Sequence, residues 1–419
     1  MIAKRIGELF RPLSGPERAD FIALLCIAAT IPIAWRLAMW AMIAFVVTSL
    51  VQLYDRRQLG WTTMSKGQRV TMVLMALFFV IYLISGCLSK NLSYGWSTTE
   101  GKLPFLLFPL AFIIADRSYL CRNYLRSIFF ILWASTSIRF IVELILNALH
   151  WFQGSPISAL VGENFSPLHH TYYALYAMVG AAFIYSELMR RVDCYRWDKW
   201  CWYLLLALVP PIATVVVTDS RTGMICAALL TAIGMIDYII SQRKWKHLII
   251  GLVFIIVTGG VALKIIPDKY KRFNIELKAL RNGQESERMV MLRSAIETVS
   301  ANPLWGYGSG DYEEPLQQQY LRNGYIEGLE KRQGSHNQYI ETTLECGIFG
   351  SLTLVAMLIV PVATALQCRR GRRMVCTGIM VIAVSIFFES MLGRQMGIIF
   401  FCLTINLLML FCKRETTRQ

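Results

Sequence analysis

The sequence has little charge for its length. Only 16% of its 419 residues are Asp, Glu, Lys or Arg, whereas soluble proteins average about 25%. Hydrophobic residues make up 55% of the chain and the mean hydropathy is +0.48. The composition therefore excludes a soluble enzyme, a disordered chain and a fibrous protein, and it indicates a polytopic membrane protein.

The sequence also lacks paired cysteines and internal repeats. Its 11 cysteines are spread along the chain without any CxxC, mostly inside apolar runs where cysteine behaves as a small hydrophobe. We expect neither a disulfide framework nor a zinc site. We also expect no cleavable signal peptide, because the first apolar run begins near Phe21 behind a basic tail and further runs follow it.

Apolar runs long enough to cross or nearly cross a bilayer recur along the chain. They lie at 20–35, 37–53, 70–88, 103–115, 126–149, 169–189, 200–217, 222–240, 247–264, 338–366, 374–389 and 395–412. The predicted fold is an all-α polytopic membrane protein with about 12 transmembrane helices and one large, partly helical periplasmic loop. Helices 1–9 would occupy residues 1–263, the loop 264–336, and helices 10–12 with a tail 337–419.

The basic residues predict the orientation of these helices. With the N-terminus in the cytoplasm, 25 Lys and Arg fall in cytoplasmic segments and only 5 in the short outward loops. The net charge of +15 is therefore mainly a topological signal, and we expect no nucleic-acid partner. The nearly neutral loop 264–336 faces outward, since long loops cross membranes largely regardless of charge. A bacterial inner membrane with both termini in the cytoplasm is the predicted setting.

Ionisable residues at the edge of a bilayer are costly and tend to be functional. The predicted topology places a set of them on the outer side: His169, His170, Arg221, Arg288, His336, Glu389 and Arg394. Several precede helices that start outside, so the positive ends of the helix dipoles face the same space. This arrangement suits a polyanionic, lipid-linked ligand such as a diphosphate.

Two of the arginines are candidates for phosphate binding. Arg221 follows Asp219 and Ser220, either of which can cap the next helix and leave Arg221 in its first turn. The alternative for Arg221 is an ion pair with Asp219. Arg288 opens a predicted loop helix, and it can bind the ligand or be an edge arginine that keeps its charge in water.

Helical periodicity predicts that Arg288 and Arg293 lie on different faces of the loop helix. Arg288 shares a face with Leu292, Ala295 and Val299, which predicts that it points with the packed side of the loop helix. Arg293 would instead pair with Glu297 at i+4 on the solvated side.

His336 is the candidate general base. Ser335 and Gln338 have capping-box spacing, which predicts His336 in the first turn of the following helix. A helix N-terminus disfavours an imidazolium, so the pKa of His336 should lie at or below its ordinary value. A neutral imidazole suits the removal of a proton from a sugar hydroxyl; the alternative is a solvated loop histidine.

The remaining candidates have two interpretations each. Arg394 can be a third cation or the partner of Glu389. His169 and His170 can bind sugar or diphosphate, or serve to cap the helix that follows them.

Four stretches together resemble the O-antigen ligase and O-antigen polymerase-like family of bacterial membrane glycosyltransferases. They are Ser220-Arg221-Thr222-Gly223; Arg288 to Arg293 with Asn302-Pro303-Leu304-Trp305-Gly306-Tyr307-Gly308; His336 to Glu341 with Glu345-Cys346-Gly347; and Glu389 to Arg394. The similar region covers roughly residues 160–400. The family often has Trp where Leu292 stands here.

The resemblance implies a GT-C-like fold and a glycosyl transfer without metal or cofactor. The donor would be a glycan on undecaprenyl diphosphate, held by Arg221 and Arg288, and His336 would activate the acceptor. Metal-dependent membrane glycosyltransferases need an acidic site in an early outer loop, whereas here that loop is short and carries Arg36. Membrane lipids would surround the helices.

The acceptor stays open at this level. A ligase would transfer the glycan to lipid A-core, a polymerase would add repeat units to a lipid-linked glycan, and a protein O-oligosaccharyltransferase would glycosylate a protein. A flippase of the same lipid is the alternative outside enzymes. It should carry charges at the bilayer midplane and an inverted repeat, whereas this chain has its unusual charges at the outer edge.

Overall fold

A computed structural model describes residues 10–156, 161–195, 198–242, 286–368 and 371–412. Every regular element in these ranges is helical. The helices are α1 Gly15–Thr30, α2 Trp35–Arg56, α3 Gly60–Thr63, α4 Lys66–Leu88, α5 Leu92–Gly101, α6 Pro104–Ile114, α7 Arg122–Phe152, α8 His170–Tyr195, α9 Lys199–Leu206, α10 Val209–Val217, α11 Arg221–Gln242, α12 Glu287–Ala301, α13 Glu313–Arg322, α14 Ile326–Glu330, α15 Gln338–Leu366, α16 Arg372–Phe388 and α17 Gln395–Leu410. Short 3₁₀ turns lie at Gly162–Asn164 and Met391–Gly393.

The helices confirm the all-α membrane class. Helices occupy every predicted apolar run except 247–264, which lies outside the described residues along with the first part of the predicted loop. Among the described helices, 6 are long and apolar enough to cross a membrane: α2, α4, α7, α9 with α10, α11 and α15. The count of 12 spans, the division into segments and the periplasmic side of the loop stay predictions.

Helices α8 and α17 form the centre of the packing. Helix α8 contacts α7, α10, α11 and α16, and nearly all of its residues from Thr171 to Tyr185 are buried. Helix α17 is buried from Gly397 to its end. It is apolar on all sides, which is the pattern of a helix surrounded by other helices. The ends of α8 and α17 that begin at His170 and Gln395 lie at the candidate site.

Helix α15 is broken at Gly347, and a loop segment fills the break. Gly347 has φ +68°, a conformation that residues with a side chain rarely adopt. The Ile348 amide donates to the Pro303 carbonyl at 2.9 Å, and the Tyr307 amide donates to the Leu344 carbonyl at 2.7 Å. Backbone groups freed inside a membrane helix need such partners. The break therefore fixes the 303–307 segment against α15.

Helices α12, α13 and α14 form a small lobe with its own core. Its buried residues are Met291, Ala295, Tyr312, Leu316, Tyr320, Tyr325 and Leu344, the last of which belongs to α15. The Asp311 carboxylate accepts from the amides of Lys90 and Asn91, at 2.6 and 2.9 Å. The lobe is thus attached both to α15 and to the connection between α4 and α5.

Candidate functional site

The centre of the site is a pair formed by His336 and Glu389. The imidazole Nδ1 lies 3.0 Å from the Glu389 Oε1. The His336 side chain is 45% exposed and that of Glu389 is 18% exposed. Because a carboxylate only accepts hydrogen bonds, Nδ1 carries the hydrogen, and the other ring nitrogen, Nε2, keeps its lone pair. Glu389 thus holds the ring in the tautomer that a general base needs.

His336 lies outside the helix that it was expected to begin. The residue that caps α15 is Asn337, whose side chain accepts from the amides of Tyr339 and Ile340. The expected capping box of Ser335 and Gln338 is therefore wrong. His336 precedes the cap with φ +47°, a left-handed conformation that is strained for a residue other than glycine. Such strain is concentrated at functional sites.

This geometry reverses the expected effect on the imidazole. The hydrogen bond to Glu389 raises the pKa of His336 above its ordinary value, and it outweighs partial burial and the Arg288 cation, which lower the pKa. The expectation that a helix start would depress the pKa is wrong, because His336 is not in the helix. Burial raises the pKa of Glu389, but the hydrogen bond from His336 and the nearby His169 lower it overall.

Other candidates surround this pair. His169 lies close enough to Glu389 to act on its charge, and its Nδ1 is 2.6 Å from the Thr171 hydroxyl oxygen at the start of α8. The His169 and His170 rings stack with centroids 4.5 Å apart. The structure thus brings His169 and His170, at the start of α8, to the edge of the site.

Arg288 and Arg394 are exposed cations at the site. Arg288 interacts electrostatically with His336, and Arg394 interacts electrostatically with Tyr172. The Tyr172 hydroxyl donates a hydrogen bond to the Met391 carbonyl at 3.2 Å. Neither arginine forms an ion pair with another residue in the described part of the chain, so Glu389 pairs with His336 and not with Arg394. Both guanidinium groups are exposed to an incoming anion.

The expected facing of helix α12 is partly wrong. Its buried stripe consists of Met291, Ser294, Ala295 and Thr298, and Leu292 is exposed. Arg288 extends that stripe by one turn but is itself exposed, so it does not point with the packed side. The expected pair between Arg293 and Glu297 is confirmed, at 3.9 Å and on the exposed side of the helix.

Arg221 opens helix α11 as predicted. The Gly223 amide donates to the Ser220 Oγ at 3.2 Å, so Ser220 and not Asp219 is the cap. A Cβ at Gly223 would lie 2.9 Å from the Ala174 Cβ in the first turn of α8. The absence of a side chain at Gly223 therefore lets α11 start beside α8. The exposed Arg221 consequently lies at the same end of these helices as His170.

The sequence interpretation missed several buried polar residues beneath the pair. Lys102 is 2% exposed, Gln338 is fully buried, Glu341 is 6% exposed and Glu345 is 4% exposed. Two acidic residues spaced i, i+4 in an apolar run were a signal for Glu341 and Glu345. Lys102 is one of the 5 basic residues in the predicted outward loops, and its burial depends on contacts with residues about 290 positions away.

No metal cluster stands in the part of the chain that the structure describes: no group of three or more His, Cys, Asp or Glu side chains could hold an ion there. Transfer without metal or cofactor stays a prediction.

Comparison with known proteins supports the resemblance found in the sequence. Residues 206–355 match the family model described as O-Antigen ligase. Over 215 residues the chain is 26% identical to an uncharacterized protein of Haemophilus influenzae, in an alignment covering 47% of this chain and 53% of that protein. The chain thus spans about half the length of the curated relative it matches. The matched segment contains Arg221, Arg288 and His336, whereas Glu389 and Arg394 come from outside it.

Proposed function

We propose that this chain, whose residues 206–355 carry an O-antigen ligase family domain, is a membrane glycosyltransferase that uses a glycan on undecaprenyl diphosphate. The preferred acceptor is lipid A-core, which would make the chain an O-antigen ligase. The observation that carries the proposal is the 3.0 Å contact between His336 and Glu389 beside exposed cations. A base next to anion-binding groups is the arrangement that transfer from a diphosphate requires.

His336 acts as the general base. Its Nδ1–H donates to Glu389, and Nε2 takes the proton of the acceptor hydroxyl. As the proton leaves, the acceptor oxygen forms a bond to the anomeric carbon of the glycan, and the bond from that carbon to the diphosphate oxygen breaks. Glu389 stabilises the imidazolium that results. The site returns to its starting state when the His336 imidazolium releases its proton.

The arginines hold the leaving group. The electron pair of the broken bond goes to the undecaprenyl diphosphate, whose charge increases during the step. Guanidinium groups form paired, charge-assisted hydrogen bonds with phosphate oxygens and stabilise that charge. Arg288 acts electrostatically on His336, Arg394 ends the connection that begins at Glu389, and Arg221 at the start of α11 supplies a further contact. His169 and His170 line the side of the site at α8 and contact the sugar or the diphosphate.

The acceptor distinguishes the ligase from the alternatives of the same class. Purified protein in liposomes receives a donor of undecaprenyl-diphosphate glycan and, in parallel reactions, lipid A-core, a second lipid-linked glycan or a periplasmic protein. Mass spectrometry of the products identifies the acceptor. Glycan on lipid A-core supports a ligase, elongated lipid-linked glycan a polymerase, and glycosylated protein an oligosaccharyltransferase.

The same reactions test transfer itself. Formation of any covalent product must release undecaprenyl diphosphate in equal amount and depend on His336. Movement of intact donor across the bilayer, with no product and no free undecaprenyl diphosphate, would overturn the proposal in favour of a flippase. The His336→Asn variant is the control, because it should move the donor normally only if the protein is a flippase.

A further inference from the structure

The connection between Glu389 and Arg394 is held from several directions. Residues Ser390, Met391 and Leu392, here called the 390–392 turn, lie between the carboxylate that contacts His336 and the exposed arginine. Each residue of this turn forms a hydrogen bond with a buried side chain from another part of the chain. Ser390 bonds to Glu341, Met391 bonds to Tyr172, and Leu392 bonds to both Gln338 and Lys102. The position of Glu389 is therefore set by residues distant in sequence.

Lys102 and Gln338 together bond the backbone of Leu392. Its ammonium donates to the Leu392 carbonyl, while the Leu392 amide donates to the Gln338 Oε1 at 2.6 Å. Both backbone polar groups of Leu392 are thus bonded by side chains that are at most 2% exposed. The neighbouring Gly101 carbonyl accepts from the Gln395 side chain at 2.9 Å, which fixes the other end of the connection.

The charge of Lys102 acts on two buried carboxylates. Lys102 interacts electrostatically with the buried carboxylates of Glu341 and Glu345, and its ammonium lies 4.6 Å from the centroid of the Tyr82 ring. A buried charge needs such compensation, and removal of one member leaves the others unbalanced. Loss of Lys102 would therefore also disturb Glu341.

Glu341 forms hydrogen bonds with a neighbour of His336 and with a neighbour of Glu389. Its Oε2 accepts from the Ser390 hydroxyl at 2.5 Å and lies 3.2 Å from the Ser335 Oγ. Ser335 precedes His336, and Ser390 follows Glu389. One buried carboxylate therefore holds the neighbours of both members of the pair.

We propose that Lys102 is a positioning residue for the site: through the Leu392 carbonyl and the Glu341 carboxylate it keeps Glu389 within hydrogen-bond distance of His336. Lys102 belongs to the α5–α6 connection, outside the segment that matches the family model. The kinetic part of this inference rests on the proposed function, whereas its effect on His336 can be measured without any substrate.

The measurement is the pKa of His336 in Lys102→Met. Diethylpyrocarbonate modifies neutral imidazole, so the rate at which the peptide containing His336 is modified, followed by mass spectrometry across pH, reports this pKa in the whole protein in detergent. If Glu389 moves away, the pKa of His336 should fall from its raised value toward about 6.5. Lys90→Met is the matched control, because Lys90 is an exposed lysine after α4, and it should leave the pKa unchanged.

A second pair of variants tests whether Lys102 changes the pKa of His336 through Glu389. Glu389→Gln alone should lower the pKa of His336, and adding Lys102→Met to it should lower the pKa no further, because residues of one network do not act additively. In transfer assays Lys102→Met should lose about 10²-fold in turnover, the usual cost of a small displacement at a reacting centre, while donor affinity is retained.

An unchanged pKa of His336 in folded Lys102→Met would overturn the inference. If that variant does not fold, Gln338→Met, which removes the other side-chain contact to Leu392, must lower the pKa, and an unchanged pKa there has the same consequence. If the pKa shifts as expected but the wild-type protein transfers no glycan to any acceptor, the positioning role stands and the proposed function fails.

Discussion

His336 and Glu389 are 53 residues apart in the chain, yet Nδ1 of the imidazole lies 3.0 Å from Oε1 of the carboxylate. One residue precedes the cap of α15 and the other ends α16. Their contact orients the imidazole of the proposed base, whose side chain is 45% exposed and is also acted on by the Arg288 cation.

Replacement of His336 should separate binding from turnover. His336→Asn removes the base but keeps a side chain that tolerates the left-handed backbone at φ +47°. Turnover should fall by about 10²–10⁴-fold, the usual contribution of a positioned base. Donor affinity, measured beside single-turnover transfer in purified protein, should change little because the arginines bind the diphosphate. Equal losses of affinity and turnover would make His336 a phosphate ligand.

The transfer rate should depend on pH through the raised pKa of His336. Only the neutral imidazole accepts a proton, so the rate should rise as pH increases through a midpoint above about 6.5 and fall below it along a single ionisation. Glu389→Gln removes the charge that raises this pKa, so the midpoint should move to lower pH and the maximal rate should drop. A midpoint that is the same in both proteins would contradict the role assigned to Glu389.

Replacement of the three proposed diphosphate-binding arginines should lower turnover, whereas replacement of Arg293 should not. Arg221→Ala, Arg288→Ala and Arg394→Ala should each lose about 30–1,000-fold in turnover, equivalent to about 2–4 kcal/mol of charge-assisted bonding to the diphosphate. Arg→Lys should restore little, because an ammonium cannot reproduce a planar fork. Arg293→Ala is the matched control on α12 and should stay active, since Arg293 pairs with Glu297 on the exposed side. An inactive Arg293 variant beside an active Arg288 variant would reverse the assignment.

Gly347→Ala should detach the loop segment from α15. An added Cβ would lie 2.0 Å from the Leu304 carbonyl oxygen, and φ is +68°. The backbone conformation of Gly347, with φ +68° and ψ −170°, costs a residue with a side chain about 1–3 kcal/mol, and the clash with backbone adds to it. We expect a lower Tm and faster proteolysis within 302–308. Gly15→Ala, whose added Cβ would have no atom within 4 Å, should change neither.

The orientation of the chain is tested by accessibility tags. Tags at residues 195, 245 and 371 should report the cytoplasm, and tags at 160 and 320 should report the periplasm, because basic residues concentrate on the cytoplasmic side. A periplasmic report from 245 would place the end of α11 that begins at Arg221, and with it the site, on the cytoplasmic side, and would contradict the predicted orientation.

Local features of the site followed from the sequence. The Arg293–Glu297 pair was predicted, and Ser220 was one of the two predicted caps of α11, because each feature depends on residues within four positions of one another. The cap of α15 was assigned to Ser335 when Asn337 takes that role. Both are good capping residues, and the choice between them depends on the carboxylate of Glu341, which bonds to Ser335 from inside the protein.

The sequence by itself determined that the chain is an all-α membrane protein with its unusual charges near helix ends, because hydropathy and charge are properties of single segments. Only the tertiary structure decided that Glu389 pairs with His336, that this contact raises the pKa of the histidine, and that Lys102 is buried against Leu392. These contacts join residues from 53 to 290 positions apart. No local periodicity encodes such distances; they arise from the packing of α8, α15 and α17 around the two connections that carry the site.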